Sequence, residues 1–291
     1  MAQLTVVGVR ERVWSIDEVS TLPHTLVRIL SVVQDESATA LDLAEEIASD
    51  KALTLKILGT VNSSYYGFHR QIGTIADAVV ILGFEEIERL AVAISVINMF
   101  GRDPESARAL HMLWRHSLAC SVVASSFESR LRSTIPSISG AHVAGLLHDI
   151  GKAVIAQYFP EAVHAIARLV HEEELSRLEA EREVLDGCTH CDIGAWIAER
   201  WSLPPAIVES IGMHHTPELV ARSHVLTHAA HAADIVCNRV GIRSMNGDTP
   251  TEFNPVSAEV LKLDAAWITT MEDRLDRQRG LIGAMAAGGA C

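Results

Sequence analysis

The residues best suited to chemistry stand together in Leu146-Leu147-His148-Asp149-Ile150-Gly151-Lys152. An apolar run from Ala141 to Leu147, which reads as a buried helix, ends in an imidazole beside a carboxylate, followed by a glycine and a lysine. A neutral imidazole nitrogen and a carboxylate oxygen make a mixed donor set for a borderline or hard divalent cation such as zinc, manganese, iron or nickel. Adjacent side chains on a helix point about 100° apart. His148 and Asp149 can therefore share a cation only where the helix end opens into a cavity, with Gly151 letting the chain turn. The plainer alternative is a helix terminus that places a histidine near its last carbonyls and closes on Gly151. Residue types alone leave both open.

The other candidates are weaker taken singly. Five cysteines (Cys120, Cys188, Cys191, Cys237 and Cys291) are odd in number and widely spread, so a disulfide framework is not expected. Cys188-Thr189-His190-Cys191 has the spacing of half a zinc site, but no second pair completes it, and free, partly buried thiols are the expectation. His224, His228, His231 and Asp234 follow at steps of four, three and three and share one helix face. The three histidines read as a polar stripe on an outer face, whereas Asp234 is flanked by apolar Ala233 and Ile235.

Composition sets the frame for these residues. The chain has 291 residues, 48% hydrophobic and 21% charged, enough for one large or two small domains with a sizeable core. Ala, Leu and Glu are abundant, aromatics make up 5%, and glycines gather at segment ends, which favours an all-α fold. No stretch reaches the roughly 18 to 20 apolar residues of a membrane span. Met1 to Ser20 lacks the basic-then-apolar form of a secretory signal, so the expected location is the cytoplasm. A formal charge of -13 sets the surface against nucleic acid and anionic membranes, and no basic patch offsets it.

The helices that must position the candidates follow from the pattern. Leu22-Pro23 precedes Leu26, Ile29, Leu30 and Val33 at helical spacing. Ser37 or Thr39 can cap the next helix, which buries Leu43, Ala44 and Ile47, and Asp50 restarts the pattern toward Asn62-Ser63-Ser64-Tyr65-Tyr66-Gly67. Thr74 can cap Ile75 to Leu82, and Phe84 to Phe100 carries its acids early, at the positive end of the helix dipole. After a break at Gly101 to Pro104, Glu105 to Leu131 reads as a long helix with His111, Arg115 and His116. Arg132 to Gly140 is a loop. Pro160 starts a helix that runs through Glu172-Glu173-Glu174 to Glu183, a charge-rich solvated face, and Val256 to Met285 reads as a final amphipathic helix.

Leu-Leu-His-Asp-Ile-Gly-Lys resembles the signature of the HD superfamily of metal-dependent phosphohydrolases. Leu22-Pro23, Ala44-Glu45-Glu46-Ile47, Asp50, Leu53 to Leu58, Asn62-Ser63 and Ala78 to Gly83 are similar, in order and spacing, to the N-terminal half of the HDOD domain. That domain is a bacterial signalling module derived from the HD fold, and the resemblance runs from about Leu22 to Val240. It implies an HD-like multi-helix fold: a leader over 1–20, an N-terminal helical part over 21–103, a metal-site part over 104–240, and a linker with a C-terminal helix over 241–291. It also implies which residues would ligate. His116, in Trp114-Arg115-His116-Ser117, takes the place of the first HD histidine, and Asp234 that of the closing aspartate. His190 at a helix head and the His214-His215 pair resemble the HD-GYP branch, in which such residues complete a two-metal centre. The Glu after its histidine pair and the Gly-Tyr-Pro signature are absent here.

His116, His148, Asp149, His190, His214, His215 and Asp234 together offer five imidazoles and two carboxylates, more than one cation requires. One or two divalent ions (Fe, Mn, Zn or Ni), with Asp149 bridging, would use them, and such a centre activates water and clamps a phosphate oxygen. Lys152 and Arg115 are then the candidates for holding substrate phosphate. Two functions are expected from this set. One is an HDOD-type signal transduction module acting through a signalling protein partner, with a structural or ligand-sensing metal site. The alternative is a metal-dependent phosphohydrolase acting on a nucleotide, cyclic dinucleotide or other phosphoester, with Asp149 as its catalytic residue.

Overall fold

The structure, a computed structural model, describes residues 6–17, 22–34, 37–63, 66–68, 70–100, 104–135, 140–245 and 252–286. Among these residues it is all-α, with no strand. Ser64 and Tyr65 of the expected turn, most of the break at Gly101 to Pro104, the middle of the loop at Arg132 to Gly140, and part of the segment after Gly241 lie outside the described residues. Contacts divide the chain into two compact units, Met1–Thr21 with Gly101–Arg277, and Leu22–Phe100 with Gln278–Cys291.

A short helix, α1 (Val6–Trp14), belongs to the first unit. It was not anticipated, because nine residues with two valines together offer little periodic signal. The second unit contains α2 (His24–Gln34), α3 (Ala40–Ala48), α4 (Lys51–Val61), α5 (Ile75–Leu82) and α6 (Phe84–Ile97). Its helix starts are capped as expected. Thr39 and Asp42 form a capping box, the Asp50 carboxylate accepts from Ala52 N and Leu53 N, and Thr74 accepts from Asp77 N. Leu26, Ile29, Leu43, Ile47, Ile57 and Ile87 form the core of this unit, each fully buried. Asn62 does more than end α4: its amide donates to Ile72 O at 2.9 Å and accepts from Ile72 N at 2.7 Å, tying the following loop to the helix end.

The first unit continues with α7 (Pro104–Leu131), α8 (Ala141–Leu147), α9 (Ile150–Tyr158), α10 (Pro160–Glu172), α11 (Arg177–Val184), α12 (His190–Arg200), α13 (Pro205–Met213), a single 3-10 turn (Pro217–Leu219), α14 (Val225–Arg239) and α15 (Pro255–Val260). The last helix, α16 (Ala265–Ala286), starts in this unit. Two long helices expected from sequence are each broken in two. Glu174 takes a positive φ of 54° between α10 and α11, and Lys262 one of 53° between α15 and α16. Such backbone ends a helix more abruptly than charge patterning reveals.

Helix α7 packs on α8, α9 and α14, α12 packs on α9, α13 and α1, and α13 packs on α14. Phe127, Leu113, Leu146, Val154, Ile193, Ile197, Ile211 and Val236 fill the space between them. Glycines set how closely these helices approach. A Cβ on Gly145 would sit 2.6 Å from Cys120 O, and one on Gly151 would sit 1.9 Å from His190 O and 2.9 Å from Gly194 N. Gly151 thus lies inside α9 and serves close packing against α12 rather than the turn expected of it.

This contact yields the first prediction. Gly151→Ala is expected to destabilise the fold by about 3 kcal/mol or more, since neither clashing backbone atom can move without displacing α12. Gly280→Ala, in open space within α16, is expected to leave stability unchanged or raise it by up to about 1 kcal/mol. Urea unfolding of the two variants beside the parent checks the contrast.

Candidate metal centre

Five separate segments of the first unit place side chains at one point. His116 comes from the middle of α7, His148 and Asp149 from the turn joining α8 to α9, His190 from the first turn of α12, His214 and His215 from the end of α13, and Asp234 from α14. All are buried to 8% exposure or less except His215, which is half-buried. Asp149 holds the N-cap position of α9 and makes no capping hydrogen bond. An aspartate there ordinarily accepts from its own helix. This one leaves its helix's first amides and faces the histidine cluster, with Lys152 of the same helix beside one oxygen.

The protonation of the rings follows from their outer partners. His116 Nδ1 lies 2.7 Å from Ile242 O, His148 Nδ1 2.8 Å from Gly145 O, and His214 Nδ1 2.9 Å from Ile211 O. His190 Nδ1 lies 2.6 Å from the Glu181 carboxylate. A carbonyl or carboxylate oxygen only accepts, so Nδ1 carries a proton in all four rings and Nε2 is the nitrogen turned inward. Metal-binding histidines are held in this way. His231, by contrast, donates through Nδ1 to His214 O at 2.8 Å and accepts at Nε2 from Asn254 N at 3.1 Å, which uses both nitrogens. It supports the turn that carries His214.

The inward-facing atoms form two groups that meet at Asp149. In one, His116 Nε2 lies 3.3 Å from His148 Nε2, 3.1 Å from Asp234 Oδ1 and 3.8 Å from Asp149 Oδ2. In the other, His190 Nε2 lies 3.2 Å from Asp149 Oδ1 and 3.3 Å from His215 Nε2, and His214 Nε2 is 3.6 Å from the same Asp149 oxygen. Asp149 therefore turns one carboxylate oxygen to each group. Asp149 Oδ2 is met by Lys152 Nζ at 2.9 Å, whereas Asp149 Oδ1 and His214 Nε2, both buried, have no hydrogen-bond partner among the described residues. Lone pairs aimed at lone pairs in a dry interior repel unless a cation stands between them, either a proton or a metal ion. The donor set and these unpartnered atoms fit divalent cations.

The electrostatics show the same tension. Burial pushes His116 down, but the hydrogen bond and charge of Asp234 outweigh it and raise its pKa to about 9. Burial likewise opposes His214, yet Cys191 and Asp149 raise it to about 10. His148 falls to about 4, mainly through burial, with His214 and His116 adding to the effect. Burial works against Asp149 ionising, but Lys152 and the surrounding rings hold its pKa well below the usual carboxylate range.

Several residues stand elsewhere than the sequence placed them. Glu181, expected on a solvated face, is fully buried and accepts from both His190 N at 2.8 Å and His190 Nδ1. Burial raises its carboxyl, but His190 and Arg177 bring it to about 2. Nothing in a run of six glutamates from Glu172 to Glu183 marks one as internal. His228 and His231 are buried rather than lying on an outer face, while His224 is exposed and pairs with Glu209. Lys152 is buried with Nζ 2.9 Å from both Asp149 Oδ2 and Ser244 Oγ. Arg115, one residue from His116 along α7, is half-buried and makes no hydrogen bond or ion pair to the cluster among the described residues. Ile242 and Ser244, expected in a linker, are buried: Ile242 O accepts from His116 and Ser244 Oγ from Lys152. Two cysteines also approach: Cys120 Sγ is 3.3 Å from His116 Nε2, and Cys191 Sγ is 3.5 Å from His190 Nε2.

Residues 19–217 match the model of the HDOD domain. The chain belongs to the HDOD domain family. Asp234 and the rest of α14 lie beyond the matched segment of this HDOD protein. Over 255 residues, 83% of the chain, it is 24% identical to an uncharacterized protein of Treponema pallidum (strain Nichols), and it spans 45% of that relative's length. An HDOD domain protein of unknown function from Geobacter sulfurreducens is similar at 25% identity, 97% and 96% coverage of the two chains and a TM-score of 0.77. A candidate signal transduction protein from Marinobacter aquaeolei VT8 is 23% identical, with 93% of this chain and 59% of that one covered and a TM-score of 0.77. A candidate phosphohydrolase from Shewanella amazonensis SB2B is 23% identical over 92% and 94% of the two chains, with a TM-score of 0.69. The last two share the fold. Among the described residues no helix is long and apolar enough to cross a membrane.

Two outcomes are expected of the HDOD protein's cluster. Rings with raised pKa values hold protons at neutral pH that a metal must displace. Metal affinity therefore strengthens as pH rises toward the values of about 9 and 10 of His116 and His214. Titration calorimetry with zinc in buffers of different ionisation enthalpy should record proton release that shrinks over the same interval. Glu181→Gln, which removes the charge holding the His190 ring, is expected to weaken metal binding by roughly 10- to 100-fold, read by competition with a chromophoric chelator.

Proposed function

We propose that this HDOD protein is a signal transduction module whose first unit is organised around a bound divalent metal centre, and that it acts by contact with a protein partner rather than by turnover. The centre would be held by His116, His148, Asp149 and Asp234 on one side and by Asp149, His190, His214 and His215 on the other. The observation that carries this reading is the joint burial of the inward-facing nitrogens and both Asp149 oxygens, with four rings locked outward through Nδ1. Such a core is built to keep a cation and to transmit its presence to five surrounding segments. Divalent cations there would also supply Lewis acidity.

The phosphoester hydrolase is the second reading, favoured by the two donor groups that meet at one carboxylate. Against it stand the seclusion of Asp149, at 1% exposure, and the engagement of Lys152 with Asp149 and Ser244. A phosphate would find neither of the expected cationic groups presented to it.

Elemental analysis of protein purified without chelator is expected to find one to two equivalents of Zn, Fe, Mn or Ni. A panel of nucleotides, cyclic dinucleotides and simple phosphodiesters is expected to show no hydrolysis. Turnover that disappears in a folded Asp149→Ala variant would replace the module with the hydrolase. Absence of any metal from the purified and the reconstituted protein would remove both.

A further inference from the structure

The second donor group contains one atom that the family resemblance did not supply. Cys191 follows His190 in the first turn of α12, is 6% exposed and is a free thiol. Its Sγ lies 3.5 Å from His190 Nε2 and 4.0 Å from His214 Nδ1, the nitrogen that donates to Ile211 O. Cys191 and the rings of His190, His214 and His215 offer four donor atoms, all within 4.8 Å of one another. A tetrahedron with metal–nitrogen bonds of about 2.0 to 2.1 Å and metal–sulfur bonds of about 2.3 Å has edges of about 3.3 Å between nitrogens and about 3.5 Å between nitrogen and sulfur. The separations of 3.3 Å from His190 Nε2 to His215 Nε2 and of 3.5 Å from His190 Nε2 to Cys191 Sγ match those edges. The unpartnered, buried Asp149 Oδ1 lies 3.2 Å from His190 Nε2, beside the same point.

From this geometry we infer that Cys191 is a thiolate ligand of the second metal position, which makes that position a mixed nitrogen and sulfur site selective for zinc or iron over manganese and magnesium. The inference rests on the metal-centre reading above and specifies it. On coordination the S–H bond is replaced by a sulfur–metal bond, and the proton leaves to solvent. A soft thiolate donor favours the softer cations and neutralises part of the metal's charge. That lowers its Lewis acidity and suits a cation that holds helices together. Cys120 approaches the first group in a similar way, but its thiol also engages Cys237. Cys191, by contrast, faces ring nitrogens.

Cobalt(II) added to the metal-free full-length chain tests the assignment. The parent protein is expected to develop a thiolate-to-cobalt charge-transfer band in the near ultraviolet. Cys191→Ser should abolish most of that band and weaken uptake of one cobalt equivalent by roughly tenfold or more. Cys188→Ser, which alters the other cysteine of the same four-residue motif, should leave both unchanged. X-ray absorption on the zinc-loaded parent gives a reading that needs no variant: a sulfur shell at about 2.3 Å beside nitrogen or oxygen at about 2.0 to 2.1 Å. Full band intensity in Cys191→Ser, or zinc with no sulfur shell, overturns the thiolate assignment while leaving the metal centre intact. No uptake of cobalt by the parent overturns the centre and the assignment together.

Discussion

Lone pairs of at least four imidazoles and two carboxylates point at one another inside a packed helical unit, and this is the constraint on which the rest of the structure depends. In water such groups would turn to solvent. Here His116, His148, His190 and His214 cannot, because each Nδ1 is held by an oxygen outside the cluster. The chain's own charges answer only part of the problem. Lys152 compensates one oxygen of Asp149, and raised affinity for protons at His116 and His214 supplies further positive charge. A divalent cation resolves the same conflict with one centre and no hydrogen atom between donors, which is the physical case for a metal.

That arrangement tolerates little slack in the helices. The turn between α8 and α9 presents His148 and Asp149 side by side only because α9 approaches α12 across Gly151, and α8 approaches α7 across Gly145. His231 and Asn254 brace the turn that carries His214. Helix packing and the geometry of the donor cluster are thus one requirement, and a change in either is felt in the other. Under the proposed signalling role this coupling would be useful, since a cation bound there would bear on five segments at once.

Much of the site could be read in the sequence because its first layer consists of short motifs. His148-Asp149, His190 at a helix start and His214-His215 each combine a residue type with a local position, and both survive without a structure. Helix starts were legible for the same reason: Thr39, Asp50 and Thr74 act on amides two or three residues away. The second layer was not legible. Glu181 reaches His190 from nine residues upstream across a loop, and Ile242 O reaches His116 from 126 residues away. In sequence Glu181 is one of several equivalent glutamates, and a backbone carbonyl carries no signal at all.

The amino-acid order by itself determined the all-α class, most helix starts and the identity of the residues able to bind a cation, because these depend on local backbone preference and on side-chain chemistry. Tertiary structure alone decided that Asp149 divides its oxygens between two donor groups, that Lys152 turns to Asp149 and Ser244 rather than outward, that His228 and His231 are internal, and that Cys191 stands among the rings. Those outcomes are set by how far apart helices settle and which way each one rotates. Such distances are fixed by packing between residues remote in sequence, on which local pattern is silent.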